Sequence, residues 1–162
     1  MREQLIALFT LPLLVLPLLA FADISGRVVA VTSGDTITVL DGYNIEHTVR
    51  LVGIDAPERG QPFGPESTER LASMVSGKQV FVAATRNDRY GHILGKVWVQ
   101  PGDCPACGKT LDANYAQILA GMARWSRHSA EEQSAEDRGR YESAEDEARA
   151  REWGLWVKQE DL

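Results

Sequence analysis

In the segment "VRLVGIDAPE", Arg50, Asp55 and Glu58 are held together by one glycine and one proline, a denser grouping of charge than a strand needs in order to end. Asp35, directly after Ser33-Gly34, adds a further carboxylate if its segment lies beside that of Arg50. Two carboxylates brought close, completed by a backbone carbonyl and waters, make a hard-oxygen site suited to Ca²⁺. A cation there offsets the repulsion between the acids and polarises a phosphoryl oxygen. Arg50 can hold a phosphate through two parallel hydrogen bonds, which lysine cannot reproduce. Glu58, fixed by Pro57, can take a proton from an attacking water. Cation, guanidinium and base together are the parts needed to hydrolyse a phosphodiester. Each residue also has an ordinary reading. Asp35 can be a turn former, Asp55 and Glu58 can be acids opening the next helix, and Arg50 can be a surface strand residue paired with Glu46.

The elements that must position these groups are legible in the patterning. "ISGRVVAVTSGDTITVLDG" predicts two β-branched strands joined at Ser33-Gly34, with a second hairpin signal at Asp41-Gly42. "IEHTVRLVGI" predicts a third strand, so Arg50 runs antiparallel to the segment that begins with Asp35. "QPFGPESTERLASMVSG" changes to helical period, with Leu71, Met74 and Val75 on one stripe. "KQVFVAAT" and "ILGKVWVQ" return to strand character around a polar turn that contributes Arg86, Asp88, Arg89 and His92. A helix in "LDANYAQILAGMARW" places Leu111, Tyr115, Ile118 and Leu119 on one face. A charged helix over 129–156 has a candidate interruption at Gly139, with Ala144, Ala148, Arg151, Trp153 and Trp156 turned to the rest of the protein and its acids in solvent. Three strands, a helix, two strands and further helices predict an α+β protein: a five-stranded OB-like β-barrel with about three helices packed on it.

With these parts in place, "SGDTITV", "VRLVGIDAPE", "QPFGPES", "DRYGHILGKV", "LAGMA" and "GLW" occur in an order that resembles the thermonuclease, or staphylococcal-nuclease-like, family. The likeness runs over about residues 24 to 158, and its most specific part is the third-strand segment. The resemblance implies a Ca²⁺-dependent nuclease that cleaves DNA and RNA and leaves 3′-phosphates. It implies Asp35, Asp55 and the carbonyl of Ala56 as calcium ligands, Glu58 as the general base and Arg50 as the phosphate and transition-state contact. The family's tyrosine-glycine-arginine in the fourth-to-fifth strand turn is Tyr90-Gly91-His92 in this chain. His92 is therefore the candidate to take the arginine's part, although imidazole carries a full cation only when protonated. Arg86 and Arg89 are the competing candidates. Arg89 and Tyr90 of that turn, and Arg127 beyond the "LAGMA" helix, are the expected substrate contacts, with Trp125 and His128 in the same neighbourhood. The alternative is a nucleic-acid-binding or protein-binding module that keeps the barrel and has weak turnover because of His92.

The remaining features bound the setting. Residues 5 to 20 carry no charge and lead to Ala20-Phe21-Ala22, the layout of a cleaved signal peptide over 1–22, followed by the nuclease-like domain over 23–162. The run is shorter than the roughly 20 residues that span a bilayer, so no stable membrane insertion after cleavage is expected, and the product is periplasmic or secreted. In an exported chain a disulfide between Cys104 and Cys107 is the default, with half of a zinc site or unpaired thiols as alternatives. The formal net charge is −6, but residues 131 to 152 hold nine acids against four arginines, so the acidity does not veto an anionic substrate. The expected partners are DNA and RNA, single-stranded or frayed, met by a monomer.

Overall fold

The computed structural model describes residues 22–158, so the signal peptide read over 1–22 lies, but for Ala22, outside the described residues. Strands β1 (Ile24–Ser33), β2 (Thr36–Asp41) and β3 (Glu46–Leu51) form the expected antiparallel meander. Register shifts between Val28 and Ala30 and between Val31 and Ser33 bend β1, because an extra residue on one strand increases local twist. The bent strand pairs with β2 on one side and with β5 (Gln79–Asn87) on the other. β5 continues antiparallel into β6 (Ile93–Val99). A parallel ladder of Val49–Leu51 with Ile93–Gly95 then joins β6 back to β3 and closes a five-stranded barrel in the order β3-β2-β1-β5-β6. Closure removes the open edges through which sheets aggregate. It also fixes where chemistry can gather, since Arg50 stands opposite Leu94 and the β5–β6 turn rises beside it.

Alternation fills the barrel. Ile37 and Val39, Val49 and Leu51, Val80 and Val82, and Val97 and Val99 all point inward and are buried, each worth about 1.5–3 kcal/mol of transfer free energy. After β3 come a short β4 (Ile54–Asp55) and helix α1 (Gly64–Val75), which buries Ser67, Leu71 and Val75 on one stripe. The loop after β6 carries the Cys104–Cys107 disulfide and leads to β7 (Leu111–Asp112) and α2 (Ala113–Leu119). The second helix is shorter than predicted and starts later. The Asp112 side chain accepts the N–H of Tyr115 at 3.0 Å and caps it, leaving Leu111 in the strand. Its buried face is also more polar than the stripe suggested. Asn114 bonds the carbonyls of Val52 and Gly95 and the N–H of Val97.

β8 (Arg124–Trp125) pairs with β4, and a 3₁₀ turn (Arg127–Glu132) precedes α3 (Ala135–Ala150). The expected interruption at Gly139 is absent, and the break falls instead before Ser134, whose hydroxyl accepts the Asp137 N–H at 3.0 Å and starts the helix. The acids of α3 are not all solvated either. Glu145 is buried, where it accepts the N–H of Trp125 and a bond from Arg149, and Asp137 accepts from Lys96. Tyr141, Ala144 and Ala148 form the packed face. Arg151 and Trp153 are exposed, contrary to expectation, with the guanidinium stacked 4.7 Å from the ring centroid and paired to Glu147. A last 3₁₀ turn (Gly154–Trp156) docks through the Leu155 N–H on the Gly121 carbonyl at 2.9 Å. Gly121 has φ +69°, and a Cβ on it would stand 2.2 Å from the Trp153 carbonyl, so only glycine lets the "LAG" and "GLW" segments meet.

Candidate active site

The turn between β1 and β2 buries the carboxylate of Asp35 and supplies its partners locally. Oδ1 accepts the hydroxyls of Ser33 at 2.8 Å and Thr36 at 2.9 Å, and Oδ2 accepts the N–H of Ala56 at 3.2 Å. Such bonds are what a desolvated carboxylate requires. They make Asp35 more than a turn former, because Ala56 lies on the corner after β3. The Asp35 carbonyl accepts the Leu51 N–H at 2.8 Å, and Thr36 is the register partner of Arg50. One Arg50 Nη2 therefore comes within 3.8 Å of Asp35 Oδ2 and 3.3 Å of Asp55 Oδ1. The guanidinium serves these two acids rather than Glu46. Asp55 itself is well exposed, with its backbone pinned by the pairing of β4 with β8, where its partner is Arg124.

Ser67, Gln117 and Arg59, none of them a candidate from the sequence, hold this geometry together with Gly34 of the turn. A Cβ on Gly34 would stand 1.8 Å from Ser67 Oγ, so the turn can pack on α1 only as glycine. The Ser67 hydroxyl donates to the Met122 carbonyl at 2.6 Å, and the buried Gln117 amide donates to the carbonyls of Gly34 at 2.8 Å and Ser67 at 3.0 Å. Arg59 ties the corner to the end of β1, donating to Thr32 and Val31 carbonyls at 2.8 and 3.2 Å. A polar Gln117 between the apolar Ala116 and Ile118 was the available signal for the network; Arg59 left none beyond its place in the corner.

Glu58 stands on the same corner, three residues after Asp55. Its backbone is set by a reciprocal turn with Gln61, both bonds 2.9 Å. Its carboxylate is exposed and makes no hydrogen bond or ion pair among the described residues. His92 is turned onto Asp88, with Nδ1 at 3.0 Å from Oδ2. Partial burial pushes the Asp88 carboxyl up, but the backbone N–H groups of His92 and Tyr90 and the imidazole outweigh it and hold the carboxyl below its ordinary value. Arg89 stacks on the exposed Tyr90 ring at 4.8 Å. Arg127 lies on Trp125 at 4.8 Å and between Glu142 and Glu145, at 3.7 and 3.9 Å.

Two depressions flank Asp55. One, of about 410 Å³, is lined by Arg50, Asp55, Arg86, Asp88, His128 and Glu132. Arg86, rather than His92, Arg89 or Arg127, is the second guanidinium on this wall, held by Glu132 through Nε at 2.8 Å. The other, of about 510 Å³, lies on the Ala56 side. A third depression, about 830 Å³, is walled by Lys78, Phe81, Gln100 and Lys109 and includes none of the candidate residues. The donor set around Arg50 is hard oxygen and fits a cation of the Ca²⁺ or Mg²⁺ type. Asp35 and Asp55 are two carboxylates only, and no group of three or more His, Cys, Asp or Glu gathers as a cage among the described residues. Carbonyls and waters would have to complete the six to eight ligands that calcium takes.

Comparison with known proteins adds a second line. Residues 48–158 match the model of the family described as staphylococcal nuclease homologue. An uncharacterized endonuclease of Escherichia coli is 44% identical over 102 residues, covering 63% of this chain and 61% of that protein, so the chain spans about three-fifths of that relative. A micrococcal nuclease of Shigella flexneri is 40% identical over 139 residues, covering 85% and 76%. Protein ParB of Escherichia coli is 38% identical over 141 residues, covering 85% and 75%.

Proposed function

The chain belongs to the staphylococcal nuclease homologue family, and from that premise we propose that it is an exported, calcium-dependent endonuclease that hydrolyses DNA and RNA to 3′-phosphate products. The observation that carries this reading is the Arg50 guanidinium within 3.8 Å of Asp35 and 3.3 Å of Asp55. A cation site and an anion site that share their walls suit a phosphodiester. Export rests on the apolar run of residues 5 to 20. The substrate form proposed is a single-stranded or frayed strand, since reaching a phosphate between two shallow depressions asks for a flexible backbone; the enzyme acts as a monomer.

In this reading an incoming phosphodiester draws Arg50 off its acids. Its paired N–H groups turn to the non-bridging oxygens, and those bonds strengthen as charge builds in the transition state. Asp35, Asp55 and the Ala56 carbonyl would hold Ca²⁺, which supplies charge neutralisation and polarisation of a phosphoryl oxygen. The hydroxyls of Ser33 and Thr36 and the Ala56 N–H keep the Asp35 carboxylate oriented. Glu58 takes the proton of a water whose oxygen attacks phosphorus. The bond from phosphorus to the 5′ oxygen breaks, leaving a 3′-phosphate on one fragment and a 5′-hydroxyl on the other. His92 or a water protonates that 5′ oxygen, and Arg86 stands on the wall beside the phosphate.

The test is heat-denatured DNA incubated with purified protein, with calcium or with chelator, and resolved on a gel. Calcium-dependent degradation is expected. Retardation without cleavage favours the second reading, a nucleic-acid-binding module with weak turnover, which draws support from His92 being paired to Asp88 at 3.0 Å. Neither binding nor cleavage sinks both.

A further inference from the structure

The reaction as derived uses Asp55 and the depression on its Arg50 side, and leaves the one on its other side without a task. That second depression, about 510 Å³, is walled by Ala56, Pro57, Phe63, Arg124, Leu155 and Val157. Its volume lies inside the roughly 300–1,000 Å³ of sites that hold small molecules. Polar Asp55 and Gln61 stand among these apolar walls, so the Phe63 ring can meet the flat face of a base while polar groups meet its edge.

Arg124 is the register partner of Asp55 across the β4–β8 pair, so the two side chains leave the same face of that ribbon. No carboxylate pairs with Arg124 among the described residues. Its guanidinium lies 5.4 Å from the Trp156 ring centroid, on which Arg149 also stacks at 4.1 Å. Aromatic support leaves a cation's hydrogen-bond donors free in a way an ion pair does not. Phe63 has φ +64° as the residue that caps α1, and its carbonyl accepts the Ser67 N–H at 2.9 Å. A bulky residue in that left-handed conformation is an outlier that glycine would relieve.

We infer that this depression is a nucleobase subsite, which receives the base on the opposite side of the scissile phosphate from the Arg86 wall. The inference rests on the nuclease reading and deepens it. A strand crossing Asp55 sets one nucleoside in each depression, with Phe63 against one base and Arg124 donating to that base's carbonyl or to the next phosphate. A phosphodiester then fills both sides, whereas a terminal phosphate monoester fills only one, which favours cleavage of links between nucleosides over removal of end phosphates.

The experiment uses single-stranded oligonucleotides with one normal phosphodiester among phosphorothioates, and with the base removed on the 5′ or the 3′ side of that bond. kcat/KM is measured for wild type, Phe63→Gly and Arg124→Gln. In wild type, loss of either base is expected to lower kcat/KM by about tenfold, the scale of one base stack. In both variants, loss of the base on one side costs about twofold or less, while loss on the other side still costs about tenfold. The retained penalty shows that the variants are folded. Equal penalties in wild type and variants, or a wild type indifferent to one base, overturn the subsite and leave the nuclease reading standing. A wild type that cuts none of the oligonucleotides in calcium overturns both.

Discussion

Arg50 Nη2 lies 3.3 Å from Asp55 Oδ1, a pairing across five residues that joins the third strand to the corner it runs into. The same nitrogen is 3.8 Å from Asp35 Oδ2. A half-exposed guanidinium between two carboxylates adds little stability by itself, since pairs open to solvent are worth about 0–1 kcal/mol. In the proposed reaction its value lies in being exchangeable for a phosphate.

Arg50→Lys keeps the charge and loses the two parallel donors. Turnover of denatured DNA is expected to fall about 10²–10³-fold, the cost of removing one preorganised donor from a transition state, while the melting temperature stays within a few degrees. A lysine variant that retains turnover within a few-fold would remove Arg50 from the chemistry.

Asp35 and Asp55 separate into a structural acid and an exposed one. Asp35→Asn leaves the donors of Ser33, Thr36 and Ala56 facing a group that cannot accept them all; a loss of about 1–3 kcal/mol follows from stranded buried donors. Asp55→Asn, at an exposed position, should change stability by no more than about 0.5 kcal/mol. Calcium in millimolar excess should raise the melting temperature of wild type, because a ligand of the native state stabilises by mass action. It should raise that of Asp55→Asn little or not at all. An equal calcium shift in both proteins would remove Asp55 from the metal.

Gly34→Ala tests the seat of the first turn. The added Cβ would lie 1.8 Å from Ser67 Oγ, and overpacking of this kind costs about 1–3 kcal/mol. The double variant Gly34→Ala/Ser67→Gly clears that contact, so a double-mutant cycle by urea unfolding should show a favourable coupling of about 1 kcal/mol or more. Additive losses would mean that the turn moves independently of α1.

Much of this architecture could be read in advance, for reasons visible in particular residues. Ile37 and Val39 alternate with Thr36 and Thr38, which sets the strand faces, and antiparallel pairing then puts Arg50 opposite Thr36, one residue from Asp35. The convergence of those two with Asp55 followed from local geometry. The closing ladder of Val49 with Ile93 did not, since a parallel pair joins segments remote in the chain and leaves no turn signal. Asn114 and Glu145 were illegible for a related reason: each is buried because its partner, the Val97 N–H or the Trp125 N–H, arrives from another element. Gly139 misled because an exposed glycine within a helix costs only about 1 kcal/mol, which the packing of Tyr141, Ala144 and Ala148 offsets. His92 was read by position alone, whereas its imidazole had a partner four residues earlier in Asp88.

The buried phenol of Tyr141 makes the fold sensitive to alkali. Its hydroxyl donates to the Asp112 carboxylate at 3.1 Å. Burial first, and the Asp112 charge second, push its ionisation far above the ordinary tyrosine value of about 10. In the unfolded chain the phenol loses its proton near pH 10, whereas in the native protein it keeps it. The native state therefore binds more protons above that pH, and unfolding free energy falls as pH rises, by up to about 1.4 kcal/mol per unit. Below about pH 9 both states are protonated and the effect vanishes. Tyr141→Phe should abolish this alkaline slope, at the cost of about 1–3 kcal/mol at neutral pH from the donor withdrawn from buried Asp112, which keeps Lys96 at 3.3 Å. Urea unfolding of both proteins at pH 7 and pH 10.5 measures it: the two stability curves should converge as pH rises, and parallel curves would show that Tyr141 ionises as freely in the native state as in the unfolded chain.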